Sequence, residues 1–390
     1  MADRKLFILV AIMIVTGIIL TYTLSAYVTL LFKVNEFHFA IRQAAFGFLS
    51  LTIIWILAQL NPDKWLKIIG FTLFIGSTIL MIAMPFLPET FVTAVGGAKR
   101  WIKLFGFSLA PVEFFKVGFI YFLAWSFSRK LGHHGGMSLE KEFKRFFPYA
   151  IIFIGAVFII AFVQNDLGQV VVLSFTLLTM LLLSGSSFKF FSVLIMMAMG
   201  VFAFAIFSKE HRIDRILSWW SLAQNSVLEI CPEFIAEKLR IPVEAEPYQI
   251  GHSLNAIHNG GFLGVGLANG TFKLGFLSEV HTDFVLAGLA EEFGFMGVLF
   301  VVVIFLSLLL RIFKIANRSK DETSFLFSVG AGLMLSFAFL VNAYGISGLV
   351  PIKGISVPFL SYGGSATLAA SIAIGMILMA SKKVNMENKI

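Results

Sequence analysis

"EVHTDFVLAGLAEEFGFMGVLFVVVIFLSLLL", residues 279–310, sets Glu279, Asp283, Glu291 and Glu292 at the mouth of a run, Phe293 to Leu310, that carries no charge. A charge-free run of 18 residues is read as a membrane-crossing helix. A barrel strand is excluded, because the run is too long and backbone in lipid must satisfy its own hydrogen bonds. A helix over Phe284–Leu310 is about 40 Å long at 1.5 Å per residue, against a hydrocarbon core of about 30 Å. The helix therefore tilts, or its first turns stand at headgroup level. Either way Asp283 meets both water and a lipid head. The carboxylates then have two readings: they mark the water side of a membrane helix, or one of them does chemistry on a lipid-borne substrate.

The same pattern recurs outward from this stretch. Ten apolar runs fall near residues 6–32, 40–60, 66–87, 107–128, 147–163, 167–184, 188–207, 284–310, 325–349 and 361–381. The chain of 390 residues is 58% hydrophobic and 13% charged, where a soluble domain is about a quarter charged. The expected fold is an all-α polytopic membrane protein: ten transmembrane helices in one integral membrane domain, 1–390, with a large extracytoplasmic loop, 208–282, between helices seven and eight. The first run, Leu6 to Phe32, is too long for a signal-peptide core and reads as an uncleaved first span. The lone Cys231 excludes an internal disulfide and any multi-cysteine metal site.

The formal net charge is +8. Nucleic-acid binding is rejected as its cause, because the basic residues lie in short loops between spans, where they set orientation and meet anionic lipid. With the N-terminus inside, inner segments hold 17 Lys and Arg and outer segments 12, six of the latter in the one long loop. Both termini are expected in the cytoplasm.

The polar clusters that suggest chemistry fall on the outer side. In "GGAKRWIKLFGFSLAPVEFFKVG", Arg100 and Trp101 precede a helix that carries Glu113 and Lys116. Three residues apart, these two share a face and can pair, as a structural ion pair or as part of a site. In "QNDLG", Asp166 fits a helix N-cap. In "HRIDRILSW", Arg212 and Arg215 suit either lipid headgroups or a pyrophosphate. Glu279, His281 and Asp283 cluster before the eighth span. There an acid is favoured by the helix dipole, or serves as a general base toward a sugar hydroxyl. Adjacent Glu291 and Glu292 point about 100° apart on a helix of 3.6 residues per turn, so one faces inward and the other pairs with a neighbour. "VPIKGISVPFLSYGGS" is expected to dip toward the bilayer, which is tolerable where it lines a protein cavity. Metal-ligand spacings and phosphate-binding loops are absent from the sequence. These features suit an amphiphile with a charged head, and by themselves do not separate a transferase from a transporter.

"KRWIKLFGFSLAPVEFFK", "QNDLG", "YQIGHSLNAIHNGGFLGVGLANGTFKLGFLSEVHTDFVLAGLAEEFGFMG" and "GLVPIKGISVPFLSYGGSATLAASIAIG" resemble, in order and over nearly the whole chain, the shape, elongation, division and sporulation family. This is the FtsW, RodA and SpoVE group. The resemblance implies a GT-C-like glycosyltransferase that polymerises lipid II on the outer face of the bacterial inner membrane. It implies a class B penicillin-binding transpeptidase and other divisome proteins as partners, and lipid II and undecaprenyl-linked glycan as substrates. The family's essential aspartate falls on Asp283. Arg100, Trp101, Glu113, Lys116, Arg212, Arg215, Gln249, Glu279, His281, Ser361, Gly363 and Gly364 become the substrate-binding candidates. A divalent cation, magnesium or manganese, is an expectation of the family's chemistry, and no organic cofactor is expected. "GLANGTFKLGFL" and "PIKG", with Lys273 and Lys353, are more similar to the division branch than to the elongation branch, so the septum is the expected location. Against the family's frequent pattern the chain has Val112 in "PVE", Asn165 in "QNDLG" and Ser278 before "EVHTDF", and the stretch from Trp220 to Tyr248 looks longer. An elongation-type polymerase, a lipid II flippase and a non-catalytic scaffold stand as the competing readings.

Overall fold

In a computed structural model, the structure describes residues 2–95, 98–104, 107–130, 138–229, 231–241, 248–352 and 354–384. Lys353 lies outside them, and so do the paired histidines of the 131–137 segment.

Fourteen α-helices are seen among the described residues. They are α1 (Arg4–Leu24), α2 (Ala26–Leu31), α3 (His38–Gln59), α4 (Pro62–Ala83), α5 (Pro111–Lys130), α6 (Leu139–Phe158), α7 (Leu167–Leu183), α8 (Phe188–Phe207), α9 (Glu210–Leu228), α10 (Glu233–Leu239), α11 (Tyr248–Gly260), α12 (Val285–Asn317), α13 (Glu322–Ile346) and α14 (Gly364–Ser381). Apolar composition makes the long ones, and polar caps end them. Asp3 accepts from Leu6 N at 2.9 Å, and Asp321 accepts from Ser324 N at 2.8 Å. Asn61 caps α4 just ahead of Pro62, which needs no partner for a missing N–H.

Among the described residues, eight helices are long and apolar enough to cross a membrane, so the chain is a multi-pass membrane protein of all-α type. The two remaining apolar runs form α5, which carries the Glu113–Lys116 pair, and the shorter α7. Boundaries differ from the sequence expectation where local chemistry intervenes. The first run divides at Ser25. Residues 107–109 are a strand, so α5 begins at Pro111. The fifth run begins earlier, at Leu139, and ends in a π-helical turn, Ile159–Val163.

A small antiparallel sheet, β1 (Val92–Val95), β2 (Ala98–Leu104) and β3 (Phe107–Leu109) in the order β1-β2-β3, was not expected from the sequence. Its register pairs Val92 with Ile102 and Ile102 with Leu109. Ile102 and Val92 bury their side chains against Met84, which seats the sheet on the end of α4.

The core runs through α1, α3, α5, α12, α13 and α14, with Phe119, Phe127, Phe327 and Phe359 among its fully buried side chains. In the segment 347–363, residues 354–363 enter this core without regular structure, burying Ile355, Val357, Phe359 and Leu360. Its backbone passes so close to α1 that Gly17 lies directly against the Phe359 and Leu360 carbonyls. The dip expected from its Pro and Gly content is thus toward protein, as hydrogen bonding in an apolar surround requires.

Candidate active site

Asp283 stands two residues before α12, on a tight turn. Thr282 N and Asp283 N donate to Glu279 O at 3.1 and 3.0 Å, and Thr282 Oγ1 donates to Glu279 Oε2 at 2.8 Å. Two outside groups pin this turn. Tyr362 N donates to His281 O at 2.8 Å, and Asn342 Nδ2 donates both to Asp283 O and to Ile355 O at 2.6 Å. Asn342 on α13 therefore ties the acid to the entering segment 347–363. The carboxylate itself lies against Gly354, whose φ of 53° favours glycine; a Cβ built there falls 2.9 Å from Asp283 Oδ2.

Asp283 is half-buried, and burial pushes its carboxyl up to about 7. The negative charges of Glu279 and Asp166 push the same way, and Arg100 and Arg215 oppose them. An acid raised this far is a stronger base when ionised, and it is still ionised in large part near neutrality. Burial likewise raises Asp166, against the pull of Arg100. It lowers His281, against the pull of Glu279.

The cations are arranged unevenly. Arg100, on β2, donates from Nε to Gln164 O and from Nη2 to Asn165 O, both at 2.7 Å, and lies 6.0 Å from the half-buried Trp101 ring. Arg215 is exposed on α9. Arg212 is placed differently from expectation. It is buried, with Nη1 on Ala205 O at 2.6 Å and Nη2 on Ala161 O at 2.5 Å and Asn165 Oδ1 at 2.9 Å. Its guanidinium joins the ends of α6 and α8 rather than facing a ligand, and burial holds it below its ordinary value. Asn165 bridges both arginines at a φ of 54°, a conformation open to asparagine and closed to the proline common in the resembling motif.

Glu113 and Lys116 do pair, at 2.8 Å, inside a three-member network. Lys116 Nζ donates to Gln169 Oε1 at 2.6 Å, and Gln169 Nε2 donates to Glu113 Oε1 at 2.9 Å. The pair borders a narrow cavity of about 30 Å³ that Ile355, Ser356 and Pro358 also line. Asp166 adjoins this network: its Oδ1 accepts from Gln169 N at 3.4 Å and caps α7.

Other candidates sit close by with structural contacts. His281 is buried between Phe39 and Tyr362, ring centroids 5.3 and 5.5 Å away. Gln249 Nε2 donates to Ser278 Oγ at 3.1 Å on the exposed side. Ser361 is buried; its Oγ accepts from Val357 N at 2.8 Å and its carbonyl accepts from Gln43 Nε2 at 3.2 Å, so its hydroxyl closes a turn. Gly363 caps α14, and Gly364 lies against the Phe46 ring. Sequence reasoning passed over Gly354, Asn342, Gln169 and Tyr362. Asn342 had a visible signal, a lone amide in the apolar run of α13.

Among the described residues, no group of three or more His, Cys, Asp or Glu stands together to hold an ion.

The fold and site define a polytopic membrane protein with a half-buried acid, Asp283, on which the charges of Arg100 and Arg215 act. Residues 3–386 match the family described as cell cycle protein, FtsW, RodA and SpoVE. The chain belongs to that family. It is 46% identical over 377 residues to a probable peptidoglycan glycosyltransferase FtsW of Helicobacter pylori, covering 96% of this chain and 97% of that one. It is 31% identical to the protein of the same description in Haemophilus influenzae, over 100% of this chain and 91% of that one. Among solved structures, the rod shape determining protein RodA of Thermus thermophilus shares the fold with a TM-score of 0.65 at 21% identity, over 99% of this chain and 98% of that one. A chain of a peptidoglycan synthase complex shares it with a TM-score of 0.69 at 22% identity, over 99% of both.

Proposed function

We infer that this chain is a peptidoglycan glycosyltransferase of the division type, polymerising lipid II into glycan. The observation that carries the reaction is the Asp283 carboxylate, half-buried, raised to about 7 and set against Gly354 at the mouth of the bundle. Asp283 takes the proton from the 4-hydroxyl of the acceptor's N-acetylglucosamine as that oxygen attacks C1 of the donor's N-acetylmuramic acid. The bond from C1 to the pyrophosphate oxygen breaks, and undecaprenyl pyrophosphate leaves. General-base assistance is worth about 10² to 10⁴ in rate. Arg100 and Arg215, the cations that act on Asp283, also offset charge that develops on the pyrophosphate. Lys116, tied to Glu113 and Gln169, orders the inner wall.

A divalent cation, magnesium or manganese, would travel on the substrate's pyrophosphate and need only one or two protein carboxylates; no step above is routed through it. α5 and α7 complete ten spans, both termini lie in the cytoplasm, and residues 208–282 lie outside as one large loop of the single membrane domain. The partner is a class B penicillin-binding transpeptidase at the septum. The balance of Lys and Arg between alternate loops supports the orientation, and the 46% identity to an FtsW supports the division branch.

The test is polymerisation of purified lipid II by the full-length chain with its transpeptidase. Asp283→Asn should fold, bind the partner and make no glycan. Near-normal polymer from that variant removes Asp283 as the base. Translocation of lipid II across liposomes without glycan would instead fit a flippase.

A further inference from the structure

Gly294 interrupts α12, with φ 63° and ψ −163°. The piece before it, Val285–Phe293, is a short helix that carries Asp283 just ahead of its first turn. A break of this kind frees backbone groups on both sides. Residues 260–266 take them up. Val265 N and Gly266 N donate to Glu291 O and Glu292 O, both at 3.0 Å, and Phe295 N and Met296 N donate to Gly261 O and Phe262 O at 2.9 and 3.2 Å. Gly260 backs onto the Ala290 carbonyl with no room for a Cβ.

Side chains complete the clasp. Glu291 Oε1 accepts from Asn259 Nδ2 at 3.0 Å, Thr271 N at 2.7 Å, Thr271 Oγ1 at 3.1 Å and Phe272 N at 3.1 Å. Glu292 Oε1 pairs with Lys273 Nζ at 2.7 Å. All three charged residues are buried, at 3% exposure or less, and the transfer step uses none of them. Burying charges in this way adds little stability, because desolvation offsets the Coulombic gain, and well-packed apolar residues hold as firmly. What charge-assisted bonds add over apolar packing is a fixed distance and direction.

We propose that Glu291, Glu292 and Lys273 are positioning residues for Asp283: they lock the break in α12 so that its short first helix delivers the carboxylate to Gly354. This rests on the reading of Asp283 as general base. Nine residues, about 13 Å of helix, separate Glu292 from Asp283. On such an arm a tilt of about 5° moves the acid by about 1 Å, a displacement that costs about 10²-fold in rate.

The experiment measures kcat and KM for lipid II polymerisation by the full-length chain with its transpeptidase, alongside Tm. Lys273→Met and Glu292→Gln should each lower kcat by about 10- to 100-fold with KM within about twofold, as loss of base alignment requires. Glu291→Gln keeps an acceptor oxygen and should hold kcat within about threefold of native, whereas Glu291→Leu should fall with Lys273→Met. The double variant Lys273→Met/Glu292→Leu buries no unpaired charge. It should recover Tm while kcat stays at least about tenfold down. This double decides the matter if a single variant does not fold. Recovery of kcat together with Tm in the double, or native kcat in Lys273→Met and Glu292→Gln, overturns the proposal and leaves the clasp a structural feature. An inactive Asp283→Asn beside fully active clasp variants overturns this inference alone. An active Asp283→Asn overturns both readings.

Discussion

Helix α14 has 78% of its apolar window buried inside the protein, and α8, of similar length, has 11%. The first belongs to the region that holds Asp283: α14, α13, the start of α12 and the segment 347–363 that threads between them. The second belongs to the region that carries the arginines. There α8 and α9 meet few neighbours and leave between them an apolar hollow of about 330 Å³, lined by Met199, Phe202, Ile206, Phe207, Ile213 and Leu217. In water such a helix would be unstable. In lipid it is not, because acyl chains are as apolar as leucine and no hydrophobic force drives helices together. Dense packing in this protein therefore marks where geometry is held, and Asp283 sits beside it. Within the second region Arg212 ties α9 to the end of α6, to α8 and to the link before α7, where its three acceptors lie.

The comparison breaks most sharply at Asp283, the proposed base. Asp283→Asn should lower polymerisation by about 10²- to 10⁴-fold, read as glycan from lipid II, while Tm stays near native. Gly354→Ala comes next. It adds a Cβ that falls 2.9 Å from the carboxylate, on backbone that L side chains rarely adopt. A kcat lower by about 10- to 100-fold with KM little changed is expected; native turnover would mean that the acid is not held where Gly354 meets it.

Stability should separate the two regions next. Ile374→Ala removes a fully buried side chain of α14, opening a cavity, and should cost about 2–5 kcal/mol. Phe204→Ala, on the exposed face of α8, should change Tm far less. Equal losses in a thermal-unfolding series would erase the distinction drawn between the regions.

A finer effect is electrostatic. A general base must be ionised, so kcat/KM should rise with pH through about 7 and level off above it. Arg215 holds the acid down and Glu279 pushes it up. Arg215→Ala should therefore move the acid limb of the pH profile to higher pH, and Glu279→Gln should move it to lower pH. Shifts of the same sign in both variants would show that neither charge acts on Asp283.

The smallest effect expected is at the exposed Glu140–Lys144 pair on α6, where Lys144→Ala should leave turnover native and alter stability by about 0.5 kcal/mol or less.

Much of the architecture was legible in one dimension because it depends on neighbours in sequence. Hydropathy located the apolar helices, and three-residue spacing paired Glu113 with Lys116. The N-cap at Asp166 and the placement of Asp283 before its helix follow from the same local rules. What only the tertiary structure decided depends on partners distant in the chain. The run 284–310 reads as one helix, yet it breaks at Gly294, because the freed groups find acceptors and donors some 30 residues upstream that no local pattern announces. Arg212 looked like a ligand group until carbonyls 7 and 51 residues away claimed it. The raised ionisation of Asp283, too, comes from burial and from charges on four separate segments. Apolar periodicity is a property of the chain, but the ionisation and aim of one carboxylate are properties of everything folded around it.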